Sequence, residues 1–508
     1  MDEEQSQQHP LLISGSHGSR LSDTLRRMSR RNRAAVLQSI VSNLDSSDAH
    51  FLLELVKRKL SCDPLGELPS EVQFRILLHI VDPLTLLKMS LVSRSWRSRV
   101  LSDTLLWQRR LRMLGASRPA WALAGSRVTD CIAAVRSETL LGRNWRMGSE
   151  GWRVTMGAHG ASVVTCLQMD ELRGRLISGA DNGTVAVWDL STGACQQLLV
   201  GHQGGVWALK AAYYEGDDDD ILVTGSTDRT LIVWDLKRGI RRHDLIGHSS
   251  TIRCVEIVGD SIVSGSRDGT LRVWDRKTGR CMHVLLGHTA SVRCMTAFKD
   301  RYIVSGSYDH TLRCWDISRG VCVSVCEGHD GKVYAVAASD DYVFSGGVDT
   351  TIRAWDPVRG ECVQVLGDHN SLVGLLSIHG HALVAGSTDG SISVWDVGQT
   401  SVERSVRDGL MDLGSEFRRI RHLEYAHGAS VTALAANRYA IISGAEGSLR
   451  LWSVEELQAA SDEPVESQLL SSKTEVVWRV VLGETMAAIA YQQAGVTRID
   501  LLNFSPST

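Results

Sequence analysis

From about residue 160 onward the chain is written in short runs of alternating apolar and polar residues. Before about residue 145 the apolar residues are spaced three and four apart instead. A stretch of the first kind reads His248-SSTIRCVEIVGDSIVSGSRDGTLRVWD. Its alternation around Ile252, Ile262 and Leu271 has the period of two that marks strands. Asp268-Gly269, between the second and third runs, is a hairpin signal. In the second kind, Val36, Leu37, Ile40, Val41 and Leu44 line one predicted helix, and Phe51, Leu52, Leu55 and Val56 the next. Ser70 and Gln73 have capping-box spacing ahead of a stripe of Val72, Ile76, Leu77 and Ile80. Asp82-Pro83 stops that helix and opens another carrying Leu84, Leu87 and Leu91. This module has more apolar positions than three short helices can hide alone. Ile132, Val135 and Leu140 predict a linker helix within residues 111–145.

The strand-forming stretches repeat. Gly-His pairs end at His202, His248, His288 and His329, with looser versions at His159, His369 and His427. Each is followed by Trp-Asp, at Trp188, Trp234, Trp274, Trp315, Trp355 and Trp395, with Trp452-Ser453 a degenerate seventh. Successive tryptophans are 46, 40, 41, 40, 40 and 57 residues apart. A period of about 40–45 residues with this signature is that of WD40 blades, four strands each, in a β-propeller. Alternation continues through residues 474–500 and ends at Ile499-Asp500, where another Trp-Asp would fall. Residues 151–157 match the outer-strand segment that precedes the other Gly-His pairs. An eighth blade is therefore expected, with three strands from the C-terminal end and the fourth from residues 151–157. That arrangement removes free sheet edges; a seven-bladed ring is the alternative. The fold class is thus mostly β, an eight-bladed WD40 propeller over residues 146–504 behind an α-helical region. Resemblance to WD40 proteins further implies a tetrad in each blade, here His248, Ser264, Asp268 and Trp274. Ala385, Asp368 and Ser453 depart from the pattern, and the eighth blade lacks the tryptophan.

Composition narrows the function. A formal net charge of −3 over 508 residues gives no global basic field for nucleic acid or anionic membrane. No run approaches the ~18 apolar residues of a membrane span. The acidic, polar opening is unlike a secretory leader, so the eleven cysteines are expected as reduced thiols. A His–Ser–Asp set that recurs in every unit with a Trp added is scaffold chemistry, so no catalytic residue is assigned. Cys322-x-x-x-Cys326-x-x-His329 has metal-like spacing, but His329 belongs to a tetrad; no metal or cofactor is expected. Residues 215–220 and about 398–425 interrupt the period as insertions without an assigned role.

Residues 62–110 carry Leu65-x-x-Leu68-Pro69, Asp82-Pro83-Leu84, Leu91-Val92-Ser93-x-x-Trp96 and Leu106-Trp107. This order resembles an F-box. The resemblance implies docking on the Skp-type adaptor of a cullin–RING (SCF) ubiquitin ligase through Leu65, Leu68, Pro69, Val72, Ile76, Leu77, Leu84, Leu91 and Trp96. The helical pair at 32–60 sits where phosphodegron-receptor F-box proteins carry a dimerisation motif, so a homodimer is possible. Residues 1–31 are expected to be disordered. Arg26, Arg27, Arg30, Arg31 and Arg33 form a candidate nuclear import signal, and the expected location is nucleus and cytoplasm.

The whole order resembles the archipelago/cell-division-control branch of F-box/WD substrate receptors, which bind phosphorylated, cyclin E-like substrates. In that branch, arginines in adjacent blades build a phosphate pocket, within Val-Arg-Cys and Ser-Gly-Ser-Arg-Asp. Here Ile252-Arg253-Cys254, Ser264-Gly265-Ser266-Arg267-Asp268 and Val292-Arg293-Cys294 match. The residues agree with the resemblance, because Arg253 alternates with Ile252 and Cys254 and so faces the channel if these pack between blades. Arg is also the preferred fork for phosphate. The resemblance adds Trp207 and Thr227 against a proline after the phosphorylated residue. It adds Ser250, Thr251 and Tyr308 as neutral hydrogen-bonders, Tyr334 in the flanking Val-Tyr, and Arg229 for a second negative group. The competing readings are a WD scaffold that never meets a ligase, and surface arginines already paired with carboxylates.

Overall fold

The computed structural model describes residues 76–77, 80, 83–92, 94–114, 128–157, 159–214, 220–367, 369–398, 417–459, 465–471 and 474–506. The chain divides into two compact units, residues 1–113 with 118–132, and residues 114–117 with 133–508.

In the first unit, helices α1 (Pro83–Met89), α2 (Arg94–Ser102) and α3 (Thr104–Met113) follow one another closely. Helix α1 begins at the proline, whose missing N–H costs nothing at a first turn. Asp103 caps α3, its Oδ1 accepting from the amides of Leu105 and Leu106 at 3.0 and 3.2 Å. Leu77, Leu86, Val100, Leu106, Trp107 and Leu111 are buried. The Trp107 indole donates to the Val100 carbonyl at 2.7 Å. Leu91 does not continue the helical stripe: it falls in the turn after α1, 79% exposed. The segment 1–75, which holds Leu65, Leu68, Pro69, Val72 and the expected helical pair, lies outside the described residues.

The second unit is an eight-bladed propeller of eight four-stranded antiparallel sheets. Blades 1 to 5 occupy residues 164–200, 206–246, 252–285, 292–326 and 333–366, and blades 6 and 7 residues 373–423 and 431–471. In blade 8, Trp152–Met156 pairs with Val496–Asn503 outside the strands Met486–Gln493 and Val476–Leu482. The propeller's first strand and its last three therefore share one sheet, as expected, and the seven-bladed alternative is excluded. The last strand of blade 6, Arg418–Leu423, lies inside the span taken as the second insertion, so the added residues are those at 399–416, outside the described set. Helix α4 (Val128–Arg146) ends on the propeller, where Trp145 stacks on Phe504 with ring centroids 3.9 Å apart.

Apolar residues from facing sheets fill the gaps between blades. Between blades 3 and 4, Val263, Leu271, Val273 and Leu285 meet Val292, Met295, Ile303 and Trp315. Burying each such side chain is worth about 1.5–3 kcal/mol. The sheets pack closely enough that a Cβ at Gly265 would lie 2.6 Å from Cys254 Sγ and 2.9 Å from Val292 Cγ1. That is the physical reason for the glycine between Ser264 and Ser266.

The tetrad expected in each blade is complete in blades 2 to 5, while in blades 1, 6 and 7 a hydroxyl meets the histidine Nδ1 instead of the aspartate. In blade 3, His248 Nε2 pairs with Ser264 Oγ at 2.8 Å and its Nδ1 with Asp268 Oδ2 at 3.0 Å. The Trp274 indole donates to the same Ser264 Oγ at 2.9 Å. The network satisfies buried polar groups and clamps the third strand to the loop entering the blade.

Candidate phosphate-binding pocket

The first strands of consecutive blades contact one another around the ring, so they line the central channel. Each carries a register shift near its start, at Val206/Ala208, Ile252/Cys254, Val292/Cys294 and Val333/Ala335 in blades 2 to 5. The residue skipped by the ladder is Trp207, Arg253, Arg293 and Tyr334 in turn. Sequence alternation aimed Arg253 at the channel, but the device is a β-bulge, which re-aims one side chain per blade. The same bulge places Thr165, Gly374, Thr432 and Trp478 on the remaining blades.

A second tier stands beside the first. The turn after the second strand hydrogen-bonds back to the residue two before the bulge. Thr227 N donates to Gly205 O at 2.9 Å, Arg267 N to Thr251 O at 2.9 Å and Tyr308 N to Ser291 O at 3.0 Å. Ser266 Oγ holds the Ser250 carbonyl at 3.1 Å. Thr227, Arg267 and Tyr308 are thereby fixed next to Trp207, Arg253 and Arg293. In blade 5 the corresponding bond, Val348 N to Lys332 O at 3.0 Å, brings Lys332 to the rim. Its ammonium lies 5.2 Å from the Tyr308 ring centroid. Neither Lys332 nor Trp478 was singled out from the sequence, because neither stands in an arginine-bearing motif.

The cations converge. Arg253 has its pKa held below the usual guanidinium value, first by burial and then by the charges of Arg293 and Arg267. Burial raises the Tyr308 phenol, and its contact with Tyr334 adds to that, against the pull of Arg293 and Arg253. The Tyr308 and Tyr334 rings lie 5.2 Å apart. Several other propeller arginines sit on carboxylates, as in Arg276 with Asp260 and Arg301 with Asp316, both at 2.7 Å. Among the described residues Arg253, Arg267 and Arg293 make no ion pair, which removes the reading of them as ordinary paired surface arginines. Arg229 occupies the turn of blade 2 with φ +73°, where blade 3 uses Gly269. A left-handed non-glycine residue costs about 1–2 kcal/mol.

Three guanidiniums without carboxylates repel one another. An anion that accepts several forked donors would relieve that repulsion, and a phosphate monoester has this chemistry. Among the described residues no group of His, Cys, Asp and Glu is placed to hold a metal ion.

In the helical unit, Ile76 is 38% exposed, and Leu91, Val92, Leu105 and Met113 also reach solvent. Leu77 faces inward and supports the module's own core, and Trp96 is half-buried.

Comparison with known proteins agrees with both halves. Residues 65–113 match the F-box-like family model. Residues 279–316, 320–356 and 360–396 match the WD domain, G-beta repeat, and residues 153–280 the WDR41 propeller. The chain thus combines an F-box-like segment with WD repeats. It is 33% identical over 191 residues to F-box/WD repeat-containing protein 7 of Drosophila melanogaster, covering 36% of this chain and 14% of that one. It is 31% identical over 171 residues to cell division control protein 4 of Candida albicans, covering 31% and 25%. It is 30% identical over 194 residues to a probable E3 ubiquitin ligase complex SCF subunit, sconB, of Arthroderma otae, covering 32% and 28%. These matches span less than a third of each relative's length. The crystal structure of the computationally designed Ika8 protein superposes with a TM-score of 0.55 at 29% identity, over 68% of this chain and 98% of that one.

Proposed function

We propose that this F-box/WD-repeat protein is the substrate-recognition subunit of an SCF (cullin–RING) ubiquitin ligase. Its F-box binds the Skp-type adaptor, and its propeller binds phosphorylated Ser/Thr-Pro degrons, cyclin E-like in charge pattern. The chain itself performs no bond chemistry; it holds a phosphoprotein where other subunits transfer ubiquitin, so its contribution is proximity. The observation that carries this reading is the cluster of Arg253, Arg267 and Arg293, unpaired and mutually repelling at the channel mouth. A degron phosphate brings about −1.5 to −2 charges and three acceptor oxygens.

The neighbours divide the rest of the peptide. Trp207 and Thr227 form the wall for a following proline, Ser250, Thr251 and Tyr308 supply neutral hydrogen bonds, and Tyr334 closes the far side. Arg229 lies toward a second negative group. On the helical unit, the exposed Ile76 and Leu91 suit an apolar partner helix. The same reading has residues 32–60 pairing two copies of the chain.

Calorimetric titration of the propeller with a phosphothreonine-proline peptide and its unphosphorylated twin tests the receptor half. Equal affinity for the two peptides refutes it. Co-purification of adaptor and cullin tests the other half: Ile76→Asp with Leu91→Asp should release the adaptor while phosphopeptide binding stays unchanged. A chain that never captures the adaptor is a WD scaffold.

A further inference from the structure

The receptor reading leaves open what holds repelling arginines in place before any phosphate arrives. Arg253 has no carboxylate among the described residues, and its charged neighbours are Arg293 and Arg267. Its guanidinium carbon instead lies 4.9 Å from the centroid of the Trp207 ring, over an indole that is itself 38% exposed. One blade further on, the Arg293 guanidinium lies 5.8 Å from the Tyr334 ring. Both distances fall within the ~6 Å range of cation–π attraction, and tryptophan offers the strongest face. Both aromatic residues stand at the bulge of the blade next to their arginine, so each bulged cation meets a bulged ring across a blade boundary.

Resting on the receptor reading, we propose that Trp207 and Tyr334 are positioning residues: their ring faces hold Arg253 and Arg293 in the phosphate-binding arrangement while the pocket is empty. The row Trp207–Arg253–Arg293–Tyr334 places an aromatic face at either end and the two cations in the middle. In blade order each ring lies beyond its own arginine rather than between the two, so it can offset repulsion without separating them. A carboxylate in the same place would bind the arginines too well and compete with the phosphate; a π face attracts the cation but leaves its forked N–H groups available. Trp207 thus acts on phosphate affinity through Arg253, separately from any contact with a proline.

The experiment is a double-mutant cycle on the full chain with two peptides, one phosphothreonine-proline and one phosphothreonine-alanine. Calorimetry or NMR titration gives the dissociation constants of the parent, Trp207→Leu, Arg253→Ala and the double variant. Trp207→Leu should weaken the alanine peptide roughly threefold to thirtyfold. That loss should vanish when Arg253 is already alanine, and Trp207→Tyr, which keeps a π face, should recover most of it. The proposal is overturned if the Trp207→Leu loss is confined to the proline peptide, since the indole is then only a wall. It is overturned equally if the loss persists undiminished in the Arg253→Ala background, as a general packing role requires. A parent that prefers neither phosphopeptide over its unphosphorylated form refutes the receptor reading itself, and this inference with it.

Discussion

Blades 2 to 5 and the seam formed by blades 6, 7, 8 and 1 share one fold and differ in internal chemistry. In blades 2 to 5 each tetrad imidazole meets an aspartate, at 2.8 Å from His202 to Asp228, 3.0 Å from His248 to Asp268 and 2.7 Å from both His288 to Asp309 and His329 to Asp349. In blades 1, 6 and 7 a hydroxyl takes that place: Thr184 for His159, Ser391 for His369 and Ser448 for His427. Both halves carry bonds between neighbouring blades, such as Lys210 to Glu256 at 2.8 Å in the first, and the seam has a dense set of its own. The Glu171 carboxylate, from blade 1, accepts the amides of Glu484, Thr485 and Met486 of blade 8 at 2.7–2.9 Å. Arg479 Nε donates to the Thr165 carbonyl at 2.7 Å, and Thr497 N to the Gly160 carbonyl at 2.9 Å. Blades 2 to 5 each hold a complete tetrad and, among the described residues, leave Arg253, Arg267 and Arg293 without an ion pair. The seam spends its charged groups on holding the ring shut.

If that division is right, binding and stability respond to different residues. Arg267→Ala removes an exposed, unpaired cation, so the unfolding midpoint should not move. Truncating one partner of a charge pair typically costs ~2–5 kcal/mol, so affinity for a phosphothreonine-proline peptide should fall roughly thirtyfold or more. Arg267→Lys should recover only part of it, since an ammonium lacks the planar fork. The converse variant is Glu171→Ala, which strands three amides at the seam. It should lower stability by about 2–4 kcal/mol in a denaturant titration and leave the peptide dissociation constant where it was. A Glu171→Ala protein that is stable but binds poorly breaks the comparison.

Much of this contrast was readable from the chain. The Trp-Asp period, the hairpin dipeptides and the leftover strands at both ends specify eight blades, because each signal reports a local backbone need. The two tiers of the pocket were legible only as letters: Arg253 and Arg293 fall in one motif and Arg267 in another. What brings them together is a bulge, which adds an unpaired residue without altering the alternation around it. Lys332 was invisible for a related reason, since its place depends on a backbone bond from Val348. Ser453, a lost aspartate by its place in the repeat, caps helix α5 (Val454–Gln458) by accepting from Glu456 N.

The seam should also be the half that fails first in acid. Burial holds His159 and His427 down to about 4, against an ordinary value near 6.5, with no aspartate bonded to either imidazole. The unfolded chain therefore binds protons on these two residues between pH 6.5 and 4 while the folded chain does not. Stability contributed by the neutral rings is full above about pH 6.5 and is lost as pH falls toward 4. At pH 5 the loss is about 2 kcal/mol for each. In blades 2, 3 and 5 the aspartate opposes the depression of His202, His248 and His329. Hydrogen exchange at pH 5 should show protection falling in residues 164–200 and 431–471 before 252–326. His427→Gln, though less stable at neutral pH, should have a flatter dependence of melting temperature on pH. Simultaneous loss in all blades would mean that the imidazole partner is irrelevant to acid stability.

The smallest expected effect is the most specific test of the tetrad as a physical unit. Blade 6 has Ala385 where blades 1, 3, 4, 5 and 7 have the tetrad serine and blade 2 a threonine, so the sequence reads as a broken tetrad. Ser393, on the adjacent strand and paired in register with Ala385, supplies the hydroxyl instead. His369 Nε2 meets Ser393 Oγ at 2.8 Å, and the Trp395 indole donates to it at 3.0 Å. Blade 6 has kept the hydroxyl and moved the residue that carries it. Ser393→Ala leaves two buried nitrogens without their oxygen and should cost about 1–3 kcal/mol. Adding Ala385→Ser restores an oxygen from the position used in the other blades, and the double variant should unfold within about 0.5 kcal/mol of the parent, the usual margin for substitutions that disturb no special feature. A Ser393→Ala protein as stable as the parent would show that blade 6 is held by its apolar packing alone, and a costly Ser393→Ala that Ala385→Ser does not rescue would show that the two positions are not equivalent.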